Sequence, residues 1–262
     1  MPASYAHTLF GEKVYHSLDK SLQHKIEPYK EYYDMGLYGP DPLFFYQPYH
    51  HHSINRQGYQ IHEQDAYDFF IKARELIHCS LNPQASLAYI CGFINHFILD
   101  SECHGYIGQI EKKMNATHAE IESDFDRQLL LNEGYIPEKT CLNQFIHTDK
   151  KIAEVMAPFF DRNTNEMHKV IESMSFYLWL LYCPNQFKKS ILFNGMKLVG
   201  AYDSMHGMVV IKEENEKCKE STPHLIELLD QSVPIAVNIM EEYVNMVHTQ
   251  LDLNQRFHHN FE

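Results

Sequence analysis

An all-α fold is predicted by three observations. Apolar residues recur at three- and four-residue spacing along most of the chain, and alternating β-branched runs are almost absent. Only two segments in the first third, Met35 to Pro42 and Tyr46 to Gly58, break the helical pattern with glycine and proline. The helical period runs through Leu9, Val14 and Leu18, then Ala66, Phe69, Phe70, Ala73 and Ile77, then Leu87, Ile90, Ile94, Phe97 and Ile98. It resumes in Ile121, Phe125 and Leu129, in Phe176, Leu180 and Leu181, and in Leu225, Leu228, Leu229, Val233 and Val237. The one candidate strand, Gly207 to Ile211, is too short to found a sheet. No repeat, low-complexity block or linker divides residues 1–262, so a single helical domain is expected.

With 44% hydrophobic and 22% charged residues, the chain has the composition of a globular protein. Its most apolar window, Ser175 to Cys183, is far shorter than the roughly 20 residues a membrane span needs, and no apolar run follows a basic amino-terminal stretch. A soluble, cytoplasmic protein is the expectation. The six cysteines form no CxxC pair and read as free thiols. A net charge of −13 opposes broad binding to nucleic acid or to anionic membrane surfaces, so a small anionic substrate would need local attraction. Lys212 to Glu220, the densest charge run, reads as a solvated loop or helix end.

The unusual feature is the 18 histidines, about three times average usage. Histidine is the commonest metal ligand. In Tyr89-Ile-Cys-Gly-Phe-Ile-Asn-His96-Phe-Ile-Leu-Asp100-Ser-Glu-Cys-His104, three ligand-type residues fall at i, i+4 and i+8 of an apolar helix. Each step drifts only about 40°, so the three share one stripe. A buried carboxylate without a partner costs several kcal/mol or more, and a metal supplies that partner. His118, Glu122 and Asp126 repeat the spacing on the next helix. Two such helices face to face offer the nitrogen and oxygen donors that zinc accepts. A lone HxxxD is commonly a structural pair; HxxxDxxxH followed by HxxxE is better explained by metal.

In order and residue type these motifs resemble the zinc-dependent phospholipase C family. The resemblance spans roughly residues 4 to 130. Ser4-Tyr-Ala-His7-Thr-Leu is similar to the family's early-helix histidine, and Gly36-Leu-Tyr-Gly-Pro40-Asp41-Pro to the loop presenting a metal-binding aspartate. His62, just before the helix Asp65 to Ile77, stands where the family places another ligand. The resemblance implies an all-helical bundle holding two or three zinc ions. Asp41, His62, His96 and Asp100 would hold one; His104, His118 and Glu122 a second; His7 and Asp100 would contribute to a third. It also makes Asp41 the candidate catalytic base, alongside a purely ligating role. The implied reaction is phosphoester hydrolysis, with a phospholipid headgroup diester or another small phosphoester as substrate. In the family the third ion also takes an amino-terminal tryptophan, which Met1-Pro-Ala-Ser-Tyr5 does not match. A non-catalytic, metal-stabilised binding or structural protein is therefore the alternative, and a single-strand-specific nuclease of the same fold is the enzymatic one.

Residues from about Cys141 onward carry helices of no assigned role. Trp179 reads as core, and His258 and His259 as a frayed tail. His50, His51 and His52 read as a solvated loop. The aromatics Phe44, Phe45, Tyr46 and Tyr49 read as loop packing or as the mouth of a site.

Overall fold

The computed structural model describes residues 4–48, 52–249 and 251–262. Helices α1 (Ser4–Ser17), α2 (Lys20–Ile26) and α3 (Lys30–Gly36) lead into a 3-10 turn over Asp41–Phe45. Next come α4 (Ser53–Glu63), α5 (Ala66–Cys79), α6 (Pro83–Met114) and α7 (His118–Asn132). The second half holds α8 (Lys150–Met156), α9 (Thr164–Leu181), α10 (Gln186–Leu198), the short α11 (Tyr202–Met205) and α12 (Ser221–Met246). All regular structure among the described residues is helical, as the spacing predicts.

The organising element is α6. Pro83 sits in its first turn, where a missing N–H costs nothing, and the Asn82 side chain accepts from Ala85 N at 3.2 Å. The helix stops at Asn115, whose left-handed φ of 51° turns the chain. The Thr117 and Glu120 capping box then starts α7. This turn brings the His104 and His118 rings together, edge to face with centroids 5.1 Å apart. Helices α1, α3, α5, α7, α8 and α12 all pack on α6, so its Tyr89, Ile90, Phe93, Ile94, Phe97 and Ile98 are buried. Full burial of each such side chain is worth about 1.5–3 kcal/mol before entropy is counted.

The crossing of α3 and α6 is unusually close. A Cβ on Gly36 would lie 2.0 Å from the Tyr89 carbonyl oxygen, and one on Gly92 would lie 2.0 Å from that of Tyr33. Only glycines allow this approach, which carries the segment after α3 directly over His96. One apolar core takes in residues from Tyr5 to Phe261, and a small satellite of Leu181, Cys183, Met196 and Val209 lies beneath α10.

Gly207 to Ile211, too short to found a sheet, founds none: it forms the end of a 3-10 turn and non-helical chain, and no strand is found among the described residues. Several expectations are corrected. The loop expected over Tyr46 to Gly58 ends early: α4 starts at Ser53, with the His52 imidazole accepting from Ile54 N. Gly58 lies within α4 because Phe44 packs close against it. Trp179 is 50% exposed rather than core, since the buried face of α9 is formed by Met167, Val170, Ile171, Met174, Leu178 and Leu181. The carboxyl-terminal segment is not frayed: Phe257 and Phe261 enter the core, and His258 stacks on Tyr67 with Nδ1 3.2 Å from Asp65. Tyr49, His50 and His51 lie outside the described residues. Lys212 to Glu220 is non-helical and largely exposed, although Cys218 is buried. No helix among the described residues is long and apolar enough to cross a membrane.

Candidate metal centre

Five elements bring eight side chains to one place. His7 comes from α1, Asp41 from the 3-10 turn after α3, His62 from α4, His96, Asp100 and His104 from α6, and His118 and Glu122 from α7. Tyr33 donates to the Gly11 carbonyl and accepts from Asn95, each at 2.7 Å, which locks α1, α3 and α6 in register. The Asn55 amide of α4 donates to the carbonyls of Leu43 and Tyr46, at 3.0 and 2.6 Å, and so clamps the Asp41 turn beside His62.

The eight side chains form three groups, each with donor atoms within 4.8 Å of one another: His7, His96 and Asp100; Asp41, His62 and His96; and His104, His118 and Glu122. His96 joins the first two groups. Asp100 links the set, with one oxygen 3.0 Å from His96 Nε2 and 3.6 Å from His62 Nε2, and the other 3.2 Å from His7 Nε2 and 3.6 Å from His104 Nε2. Glu122 Oε1 stands 3.1 Å from His118 Nε2 and 3.6 Å from His104 Nε2. The stripe read from α6 is real, and α7 faces it.

The rings are oriented by the backbone. His62 Nδ1 lies 2.9 Å from the Gly58 carbonyl and His96 Nδ1 3.1 Å from that of Leu37. With Nδ1–H donating outward, each Nε2 presents its lone pair to the centre, the arrangement metal-binding histidines adopt. Gly39, at φ 48°, makes room for this: a Cβ there would meet the His96 ring at 2.3 Å.

The electrostatics call for positive charge. Among the described residues every ion-pair partner of Asp41 and Asp100 is a histidine. Burial alone would raise the Asp100 carboxyl, but His96, His104 and His7 hold it well below the usual carboxylate range. The same opposition of burial against His96 and His62 lowers Asp41. Glu122 is likewise held low against burial, with His118 and His104 among the causes. Burial lowers His96, whereas at His62 the nearby carboxylates of Asp100 and Asp41 outweigh burial and raise it to about 10. Two buried atoms in the same group, His96 Nε2 and Asp41 Oδ1, stand near ionisable neighbours yet make no hydrogen bond of good geometry. Such orphans cost about 1–3 kcal/mol each unless something else satisfies them. A divalent ion fits this donor set of neutral imidazole nitrogens and carboxylate oxygens.

Two neighbours escaped the sequence reading, and one residue that it singled out serves elsewhere. Glu111 accepts from His118 N at 2.8 Å and stands 3.7 Å from its Nδ1. Its position seven residues past His104, two turns along the same stripe, is the signal that marks it. Phe261, at the far end of the chain, donates its N–H to the His62 carbonyl and packs its ring on His62. Nothing local in the sequence pairs them. Asp126, on the same predicted face as His118 and Glu122, lies outside the cluster. It accepts from Tyr5 N and Ala6 N at 3.1 and 2.8 Å and so anchors the start of the helix carrying His7.

A cavity of about 550 Å³ opens on the cluster, with His62, His104 and His118 in its wall beside Phe44, Tyr59 and Met208. Phe44 is thereby part of the mouth, while Phe45 lies in the core and accepts from the Ser173 hydroxyl. Asp41 is buried behind His62 and does not line this cavity. No family model, curated protein or solved structure matches the chain.

Proposed function

We propose that the chain is a zinc-dependent hydrolase of phosphoesters, phospholipase C-like in its ligand order. The observation that carries this reading is the meeting of eight nitrogen and oxygen donors, drawn from five separate elements, beside a cavity whose wall three of them, His62, His104 and His118, help to form. His7, Asp41, His62, His96, Asp100, His104, His118 and Glu122 would hold the metal. Zinc there would supply concentrated positive charge to attract a phosphoester and to activate the attacking water.

The chain's own residues account for the rest. Carbonyls of Gly58 and Leu37 aim His62 and His96, and Glu111 aims His118. Phe44, Tyr59 and Met208 give the cavity an apolar side suited to the non-polar part of an ester. Glu111 and Glu262 also line it, and no lysine or arginine does, which favours a small substrate over a polynucleotide. Asp41, buried and held ionised, suits a ligand that orients rather than a base that needs a pKa near the working pH.

The test combines elemental analysis of untagged protein with a panel of phosphodiesters and phosphomonoesters. Two or three zinc ions per chain with turnover is the expected result. Bound zinc without turnover of any ester establishes the metal-stabilised alternative, and cleavage of single-stranded DNA the nuclease.

A further inference from the structure

Helix α10 is apolar on two opposite faces. At 100° per residue, Met196 lies about 180° from Phe187, and it is the buried one, resting on the satellite core. The outward stripe of Phe187, Ile191 and Leu198 falls within about 40° and is exposed. The end of α9 adds exposed Phe176 and Trp179 beside it, and Lys188 Nζ donates to the Trp179 carbonyl at 2.9 Å, joining the two elements. Contiguous exposed aromatic and aliphatic side chains of this kind mark an interaction surface.

The charge around the stripe says which kind. Between Glu172 and Asp203 there is no acidic residue, while Lys188, Lys189 and Lys197 are all there, in a chain of net charge −13. On the helical wheel Lys188 and Lys197 fall on the two flanks of the stripe, about 100° and 80° from Phe187 on opposite sides. Among the described residues none of the three lysines forms an ion pair; Lys188 lies over the Trp179 ring and Lys197 over Tyr202 instead. An apolar stripe between cationic flanks, with tryptophan at the edge, is the pattern of a helix lying in a bilayer interface.

We propose that α10 and the end of α9 form a docking face for an anionic phospholipid surface. The whole-chain charge opposes such binding only on average, since beyond about a Debye length of 8–10 Å the acidic residues elsewhere are screened. Met208 packs on the satellite core under α10 and also lines the cavity at the metal-ligand cluster, so docking holds that cavity near the lipid. The inference stands on surface and charge alone and does not depend on the metal reading.

Trp179 is the chain's only tryptophan, so its emission reports this face directly. Full-length protein is mixed with vesicles of phosphatidylcholine, alone or with phosphatidylglycerol, and followed by co-sedimentation and fluorescence. Binding to the anionic vesicles alone is expected, with a shift of emission to shorter wavelength and weakening by salt. Lys188→Gln with Lys197→Gln should weaken it on the order of 25-fold, from roughly fivefold per lysine near an anionic surface. Phe187→Glu with Ile191→Glu should abolish it while leaving the circular dichroism and bound metal unchanged. Equal binding to neutral vesicles, or none to either, overturns the proposal. So does a concentration-dependent dimer lost in Phe187→Glu with Ile191→Glu, which would assign the face to a second copy of the chain.

Discussion

Helices α6 and α10 are both rich in apolar residues, yet they sit in opposite environments. From Ala88 to Asp100 the neighbours close over every face of α6, and Asn95, His96 and Asp100 are buried with the aliphatics. On α10 only Met196 is buried, and Phe187, Ile191 and Leu198 face outward. Each helix therefore breaks a different half of the usual rule: α6 hides charge, and α10 shows hydrocarbon. Both departures cost stability in isolation, the first by desolvation and the second by lost burial. Each points to a partner outside the chain, cationic for α6 and apolar with negative charge for α10.

The sharpest way to break this contrast is to remove the metal. With free zinc about a thousandfold above its Kd, a bound ion contributes about 4 kcal/mol, and for a chain of this size chelation should lower Tm by about 8–16 °C. Scanning calorimetry with and without chelator measures it, and an unchanged Tm would mean that α6 needs no cation. The stripped protein should also respond to pH through His62. Its folded pKa of about 10 exceeds the unfolded value near 6.5, so the stability it lends is complete below 6.5 and is lost as pH rises toward 10. Metal-loaded protein should lack that slope.

Next in size is His96→Ala. The ring is buried, stacked on His7 at 4.2 Å between centroids, and belongs to two of the three donor groups. Its loss should cost about 2–4 kcal/mol in denaturant titration and at least one metal per chain. Gly39→Ala should reproduce part of this, about 1–3 kcal/mol, without touching a ligand, because the new Cβ meets the His96 ring in a left-handed backbone.

The regions differ in how legible they were. In α6 and α7 the ligand stripe could be read because i, i+4 and i+8 is a local geometric relation, and His96, Asp100, His104, His118 and Glu122 all meet as that relation requires. His7, Asp41 and His62 came only through resemblance to a family, yet the packing of α1 and α3 on α6, and of α4 on the 3-10 turn that holds Asp41, carries them to the same point. Asp126 shows the limit of the stripe: another step of about 40° turned it from the cluster to the amino end of α1. Trp179 and Phe261 were misread or missed because exposure and long-range packing depend on which faces the rest of the chain covers. The extra residue the stripe does imply, Glu111, offers the next test. Glu111→Gln should weaken metal at His104, His118 and Glu122 by 10–100-fold, the usual effect of losing a carboxylate behind a ligand, and leave the Asp41 group loaded.

The smallest effect should come from α10, and its smallness is informative. Phe187→Ser with Ile191→Ser removes two large side chains that are already 77% and 58% exposed, so unfolding in denaturant should shift by no more than about 0.5 kcal/mol per site. Met196→Ala, on the opposite face of the same helix, should cost about 2 kcal/mol or more because Leu181, Cys183 and Val209 lose their cover. A large loss from the outward pair would show that the stripe packs against the chain itself and would remove the contrast with α6. A near-zero loss leaves the outward hydrocarbon with no role in folding, so that whatever retains it acts from outside the chain.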